Sequence, residues 1–177
     1  MCVTLKKLAA TSNNCGGNLA GLVAKLWVAK AEDVATIPAP AASPANQIVI
    51  ASDITMQAGK VFQEWNFQKD TGKVYASSVG PEGSLSFENM VDFTFPRPTL
   101  DVLEQLFLNA NTELIVIVKK RDGQVVIIGD LDNPAYFSEI KPDSGLKGSD
   151  PNNVPCKLKA LAANGYKVYT GVIPVAA

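Results

Sequence analysis

Apolar and polar residues alternate along much of this chain, and the alternation predicts strands. From Gly21 to Val34, Leu22, Ala24, Leu26 and Val28 alternate with Val23, Lys25, Trp27 and Ala29. That pattern predicts a strand with Lys25 and Trp27 on one face. A short helix competes for the segment, because Ala, Leu and Lys all favour helix. Gln47 to Ser52 predicts a short strand around Ile48-Val49-Ile50. Between Lys60 and Gln68, Val61, Gln63, Trp65 and Phe67 alternate with Phe62, Glu64, Asn66 and Gln68. Lys73 to Val79 follows after the turn Asp70-Thr71-Gly72, so the two runs predict a β-hairpin. Beyond the turn Gly80-Pro81-Glu82-Gly83, Ser84 to Phe95 predicts a strand broken near Asn89 and stopped by Pro96 and Pro98.

The periodicity changes once. Leu100, Leu103, Leu106 and Phe107 recur at helical spacing behind Thr99. The Thr99 hydroxyl can accept from free N–H groups of the first turn, and Asp101 and Glu104 sit where the helix dipole favours negative charge. This predicts one helix over about residues 99–110. The run Leu114-Ile115-Val116-Ile117-Val118 is apolar on both faces, which predicts a central strand. Arg121-Asp122-Gly123 then turns it back onto Val125-Val126-Ile127-Ile128. Ala135 to Ile140 predicts a short strand. Lys157 to Ala162 and Tyr166 to Ile173 predict a last hairpin across Asn164-Gly165.

These elements amount to nine or ten antiparallel strands and one helix. The expected fold is mainly β: an antiparallel β-sandwich or partly open barrel with one flanking helix. Residues 1–20, rich in Asn and Gly near their end, read as an extended N-terminal arm. Residues 21–177 read as one domain, with a Pro-rich extended connector at 36–46.

Composition narrows the function. The chain has 177 residues, 47% hydrophobic, enough to bury a core. It contains no histidine, which removes Ser-His and Cys-His nucleophile pairs. The net charge is −1, and neither half of the chain is strongly basic, so sequence-specific nucleic-acid binding is not expected. Cys2, Cys15 and Cys156 form an odd, scattered set that reads as three free thiols of a reducing cytosol. Lys6-Lys7 leads into no apolar run, so neither a secretory leader nor a membrane anchor is expected, and synthesis in the cytosol follows.

Candidate chemical sites are sparse. Asp70-Thr71-Gly72 and Asp122-Gly123 are turn chemistry. Asp130 and Asp132 flank Leu131 and would face one side of a strand, but no third oxygen ligand lies nearby. The loop from Asp143 to Asp150 lacks the alternate carboxylates and closing Glu of a calcium loop. Trp65 and Phe67 suit either the core or a stacking platform. No catalytic residues, cofactor or metal are predicted, and the chain reads as a non-enzyme.

The order of parts resembles a known group. The Pro-rich connector precedes a strand pair around Trp65. Gly83-Ser84-Leu85-Ser86-Phe87 then leads to Pro96-x-Pro98 and a single helix. The hairpin 114–128, Gly129, Asn133-Pro134-Ala135, Asp143-Ser144-Gly145 and a final strand pair complete it. Across roughly residues 22–173 this layout resembles the tail tube and related ring-forming structural proteins of tailed bacteriophages, especially those infecting gut Bacteroides-type bacteria. The resemblance implies a virion protein of the tail or neck that assembles with itself, in hexameric rings, and with other virion proteins. DNA would pass through as cargo, and a long hairpin would line the channel. On that view the hairpin tip Lys119, Lys120, Arg121, Asp122 and Gly123 becomes a candidate subunit interface. Its positive charges, repeated around a ring, would repel unless carboxylates such as Asp130, Asp132 or Asp143 met them. The alternative is a non-catalytic sandwich module recognising carbohydrate or a cell surface through Trp27 or Trp65. A carboxylate-pair hydrolase would need two acids converging in a cleft, and the sequence places no such pair.

Overall fold

A computed structural model describes residues 20–40 and 47–175. Apart from Ala20, the expected N-terminal arm lies outside these residues, as do positions 41–46 of the Pro-rich connector. In chain order the elements are β1 (Leu22–Lys30), a 3-10 turn (Ala31–Asp33), β2 (Val34–Thr36), β3 (Val49–Ile50), β4 (Thr55–Met56), β5 (Gln63–Asn66), β6 (Lys73–Val79) and β7 (Ser86–Phe95). Helix α1 (Leu100–Leu108) follows, then β8 (Leu114–Lys120), β9 (Val125–Ile128), β10 (Tyr136–Ile140), β11 (Val154–Ala162) and β12 (Lys167–Tyr169). The chain is mainly β with one α-helix among the described residues, a sandwich-like fold.

Two sheets face each other. A six-stranded sheet runs β3-β12-β9-β8-β1-β5, and a four-stranded sheet runs β10-β11-β7-β6. Between them lies the main core. Leu22, Leu26 and Val28 of β1, Leu114, Val116 and Val118 of β8, and Val126 and Ile128 of β9 meet Val91, Phe93 and Phe95 of β7 and Cys156, Leu158 and Ala160 of β11. These residues recur at every second position, as pleating requires. Helix α1 closes one side of this core with Leu106, Val102 and Leu103.

The six-stranded sheet buries its other face as well. Ala29, Ile115, Ile117, Ile127 and Tyr169 form a second cluster with Val34, Ile50, Ile54 and Phe62. The small β2–β4 pair and the chain leading to β5 cover it. The Tyr169 hydroxyl holds this cover down. It donates to the Val172 carbonyl at 2.7 Å and accepts from the Ile54 N–H at 3.2 Å. The central position predicted for β8 follows from this double burial: β8 lies between β9 and β1, with every residue from Leu114 to Val118 buried.

Several expected elements hold. β1 is a strand, not a helix. β8 and β9 pair in register Val116↔Ile128 and Lys119↔Val125. Thr99 caps α1 by accepting from the Val102 N–H at 3.4 Å. Four expectations are corrected. The runs 60–68 and 73–79 do not form a hairpin: β5 pairs with β1, and β6 pairs with β7 in the other sheet. The chain changes sheets at the corner between them. Asp70 adopts φ 65°, and a Cβ on Gly72 would lie 2.5 Å from the Phe67 ring, so the corner needs glycine there. The predicted last hairpin likewise divides, with β11 in the four-stranded sheet and β12 in the six-stranded sheet. A good turn signal sets a reversal of direction, not which strand becomes the neighbour. β7 runs through Asn89 without a break, because Asn89 pairs with both Ala76 and Ala160. On α1, Leu100 and Phe107 face solvent, and Val102 joins Leu103 and Leu106 against the core. Six of nine α1 residues are apolar, so the sequence does not single out one stripe.

Candidate assembly interface

The predicted hairpin tip is tightly organised within its own chain. Its backbone closes through Lys120 N–H to Gln124 O at 2.8 Å and Gly123 N–H to Lys120 O at 3.0 Å. Gly123 takes φ 91°, a left-handed conformation suited to glycine. Lys120 Nζ lies 3.0 Å from the Asp122 carboxylate and 3.0 Å from Gln124 Oε1. The Asp122 carboxyl is held below its ordinary pKa, first by the Gln124 N–H and then by Lys120. The Arg121 guanidinium pairs with Asp70, and that hydrogen bond holds the Asp70 carboxyl below its ordinary pKa. The Arg121 N–H also donates to Gly21 O at 3.1 Å, which ties the tip to the start of β1.

Most of the tip's positive charge is therefore met within the chain. Lys120 and Arg121 are neutralised by Asp122 and Asp70 of the same chain. Lys119 is exposed and makes no ion pair among the described residues. Of the carboxylates considered as partners, Asp130 is already engaged. It pairs with Lys167 at 3.2 Å and accepts from the N–H groups of Asp132 and Asn133 at 3.2 and 2.8 Å. Asp130 and Asp132 thus stand in a turn rather than on one strand face. Asp143 accepts from the Gly145 N–H at 2.9 Å. Asp150 accepts from Leu146 and Lys147 N–H groups, which lower its carboxyl pKa. The 143–150 loop spends these carboxylates on its own backbone.

The tryptophans divide. Trp27 packs against the second core cluster, with Lys25 Nζ 6.0 Å from its ring. Trp65 is half-buried, edge-on to Phe95 at 6.1 Å and stacked near Phe137 at 6.3 Å. Phe67 belongs to the main core.

Trp65 also lines a groove between β5 and α1, which sequence reasoning missed. Two adjoining cavities, of about 230 Å³ and 210 Å³, share Trp65 and Gln105. The second has Trp65, Phe95, Val102 and Leu106 as its apolar surface, with Glu64 and Asp101 at its polar edge. A strand and a helix forty residues apart build this groove, so no local pattern announces it. The one available signal was the surplus of apolar residues on α1: Leu100, Phe107 and Leu108 are 79%, 57% and 73% exposed.

Among the described residues, no three His, Cys, Asp or Glu side chains cluster as metal ligands, and no helix is long and apolar enough to cross a membrane. No family model, curated protein or solved structure matches the chain.

Proposed function

We propose that this chain is a structural protein of a tailed-bacteriophage virion that assembles with itself into stacked rings, as a tail tube or a neck ring through which DNA passes. The observation that supports this best is the number of unfinished surfaces. β6 and β10 end the four-stranded sheet, and β5 ends the six-stranded sheet. Strand ends of this kind carry unpaired backbone groups and act as templates for another chain. β6 is seven residues long and contains no proline. The exposed Leu100, Phe107 and Leu108 of α1 add an apolar surface on the same molecule. Closed rings are the arrangement that satisfies such surfaces without open-ended growth.

Light scattering and negative-stain imaging of the purified protein test this reading. Rings with a mass near six copies are expected, and Lys119→Glu, at the unpaired tip cation, should weaken them most at low salt, where charges are least screened. A monomer mass across protein concentrations and salts overturns the reading. Trp65 at the groove supports a second reading, a carbohydrate-binding module. Saturable quenching of tryptophan emission by oligosaccharides, by a chain that stays monomeric, would favour it.

A further inference from the structure

We propose that the loop 143–150 of one copy seats its Leu146 in the cleft at the far end of β11 of a second copy, so that copies join end to end. Leu146 is 91% exposed, the most exposed large apolar residue among those described. A lone leucine in water is ordinary. This one is held there by a loop that hydrogen-bonds itself into shape. The N–H groups of Leu146 and Lys147 donate to the Asp150 carboxylate at 3.0 and 2.9 Å. Gly145 N–H donates to the Asp143 carboxylate at 2.9 Å, and Asp143 and Asn153 exchange backbone hydrogen bonds at 2.9 and 3.0 Å. The loop thus prolongs the β10–β11 pair as a finger that carries Leu146. Its ordering cost is met before a partner arrives, which favours binding.

Chemistry selects the receiving surface. The cleft measures about 500 Å³, and Val79, Leu161, Ala162 and Ala163 line it together with Ser84 and Ser86. No charged side chain lines it. Charge stands at its margin instead. Glu82 lies in the turn between Gly80 and Ser84, and Asp132 adjoins Asn133, another lining residue. Both acids are exposed and make no ion pair among the described residues; the same holds for Lys147, next to Leu146. Docking therefore buries the leucine in an uncharged seat and brings Lys147 to Glu82 and Asp132. Such charges at the rim of a contact fix its partner and register.

Topology sets the direction. β11 runs from Val154, beside the finger, to Ala162 in the cleft. Its nine residues set the two ends about 26 Å apart at roughly 3.3 Å per residue. The finger therefore cannot enter the cleft of its own copy. Each copy offers a finger at one end and a cleft at the other, so the contact is heterologous and repeats along the strand direction. Only its place in a virion rests on the ring reading: there it stacks one ring on the next. The contact itself needs no ring.

Disulfide trapping on the full chain tests the proposal. Cys2 and Cys15 are changed to Ser, and Ser144→Cys on the finger is combined with Ala163→Cys in the cleft. A disulfide needs its Cα atoms within about 7 Å, so a bond between these two sites can only join different copies. With a mild thiol oxidant, a ladder of covalent dimers, trimers and longer chains is expected, whereas either cysteine alone stops at dimers. Leu146→Asp in the same background should slow the ladder at least tenfold, with an unchanged urea midpoint as the control for folding. Glu82→Lys combined with Asp132→Lys should slow it less, and Lys147→Glu added to that pair should restore it. Rings on negative-stain grids without a ladder overturn the end-to-end contact and leave the ring reading standing. A Leu146-dependent ladder without rings supports the contact and overturns the ring reading. A ladder that Leu146→Asp leaves unchanged also overturns the contact.

Discussion

In β11 of the four-stranded sheet, Val154, Cys156, Leu158 and Ala160 are buried while Lys157 and Lys159 stay half-exposed; in β8 of the six-stranded sheet, five consecutive residues are buried. The two strands lie across one core and differ in what covers their backs. The back of the four-stranded sheet meets water and is laced with ion pairs, Lys159 with Glu88 at 3.5 Å and Lys157 with Glu139 at 3.7 Å. The back of the six-stranded sheet meets the β2–β4 pair and the Tyr169 network. A sheet with one wet face is written as alternation, and a sheet between two layers as a continuous apolar run. The middle layer should therefore tolerate polarity nowhere, and the outer layer should tolerate it at every second position.

The largest expected effect breaks that difference directly. Ile117 points into the second cluster, away from the facing sheet. Ile117→Asp places an unpaired charge there, at a cost of about 5 kcal/mol or more, comparable to the whole stability of a domain. Lys159→Val, on the outer face of β11, should change stability by less than about 1 kcal/mol, because the exposed pair with Glu88 is weak. Urea unfolding of both variants checks this. If Ile117→Asp is no worse than Lys159→Val, the β2–β4 layer is not a real cover.

The same difference explains what could be read from the sequence. The unbroken run at 114–118 announced a strand with two covered faces, and the Pro-flanked helix behind Thr99 announced itself through capping and a change of period. Partnership between strands was not legible. Asp70-Thr71-Gly72 and Asn164-Gly165 are both turn-formers, yet each carries the chain from one sheet to the other. Hairpin chemistry is local, whereas sheet membership is decided by which apolar face finds which layer. The hairpin tip was legible as a turn with charges, but not as one whose charges are met within the chain, because Asp70 is 51 residues away from Arg121. The groove at Trp65 was hidden for the same reason.

A smaller effect sharpens the comparison from inside the core. Asn89 is the one buried polar residue among the described residues, at 2% exposure, and its Oδ1 has no hydrogen-bond partner. It occupies an inward position of β7, two residues before Val91, where the alternation calls for an apolar side chain. It borders a void of about 10 Å³ with Ile127, Gly129 and Lys167. Replacing an unsatisfied buried polar group with an apolar one of similar size removes its desolvation cost. Asn89→Leu should raise stability by about 1 kcal/mol in thermal or urea unfolding. A loss of stability instead would mean that a water in the void satisfies the amide.

The last effect is absent at neutral pH and confined to alkaline pH. Cys156 lies on the inward face of β11, opposite Phe93, and its sulfur is within 3.7 Å of the Val154 carbonyl. Burial, and then the nearby Glu139 carboxylate, push its thiol pKa from its ordinary 9.0 up to about 12. At neutral pH the thiol is protonated in folded and unfolded chains alike, so it contributes no pH dependence there. As pH rises past 9, the unfolded chain loses this proton while the folded chain keeps it. Stability therefore falls as pH climbs from 9 towards 12. Cys156→Ala should flatten that part of the stability profile, at the cost of a small cavity at all pH values. Thiol labelling gives an independent check, because the thiolate is the reactive form. With Cys2 and Cys15 changed to Ser, the folded chain should label at pH 8 far more slowly than the same chain in denaturant. Equal labelling rates in the two states would place Cys156 at the surface and remove it from the wet-backed sheet's inner face.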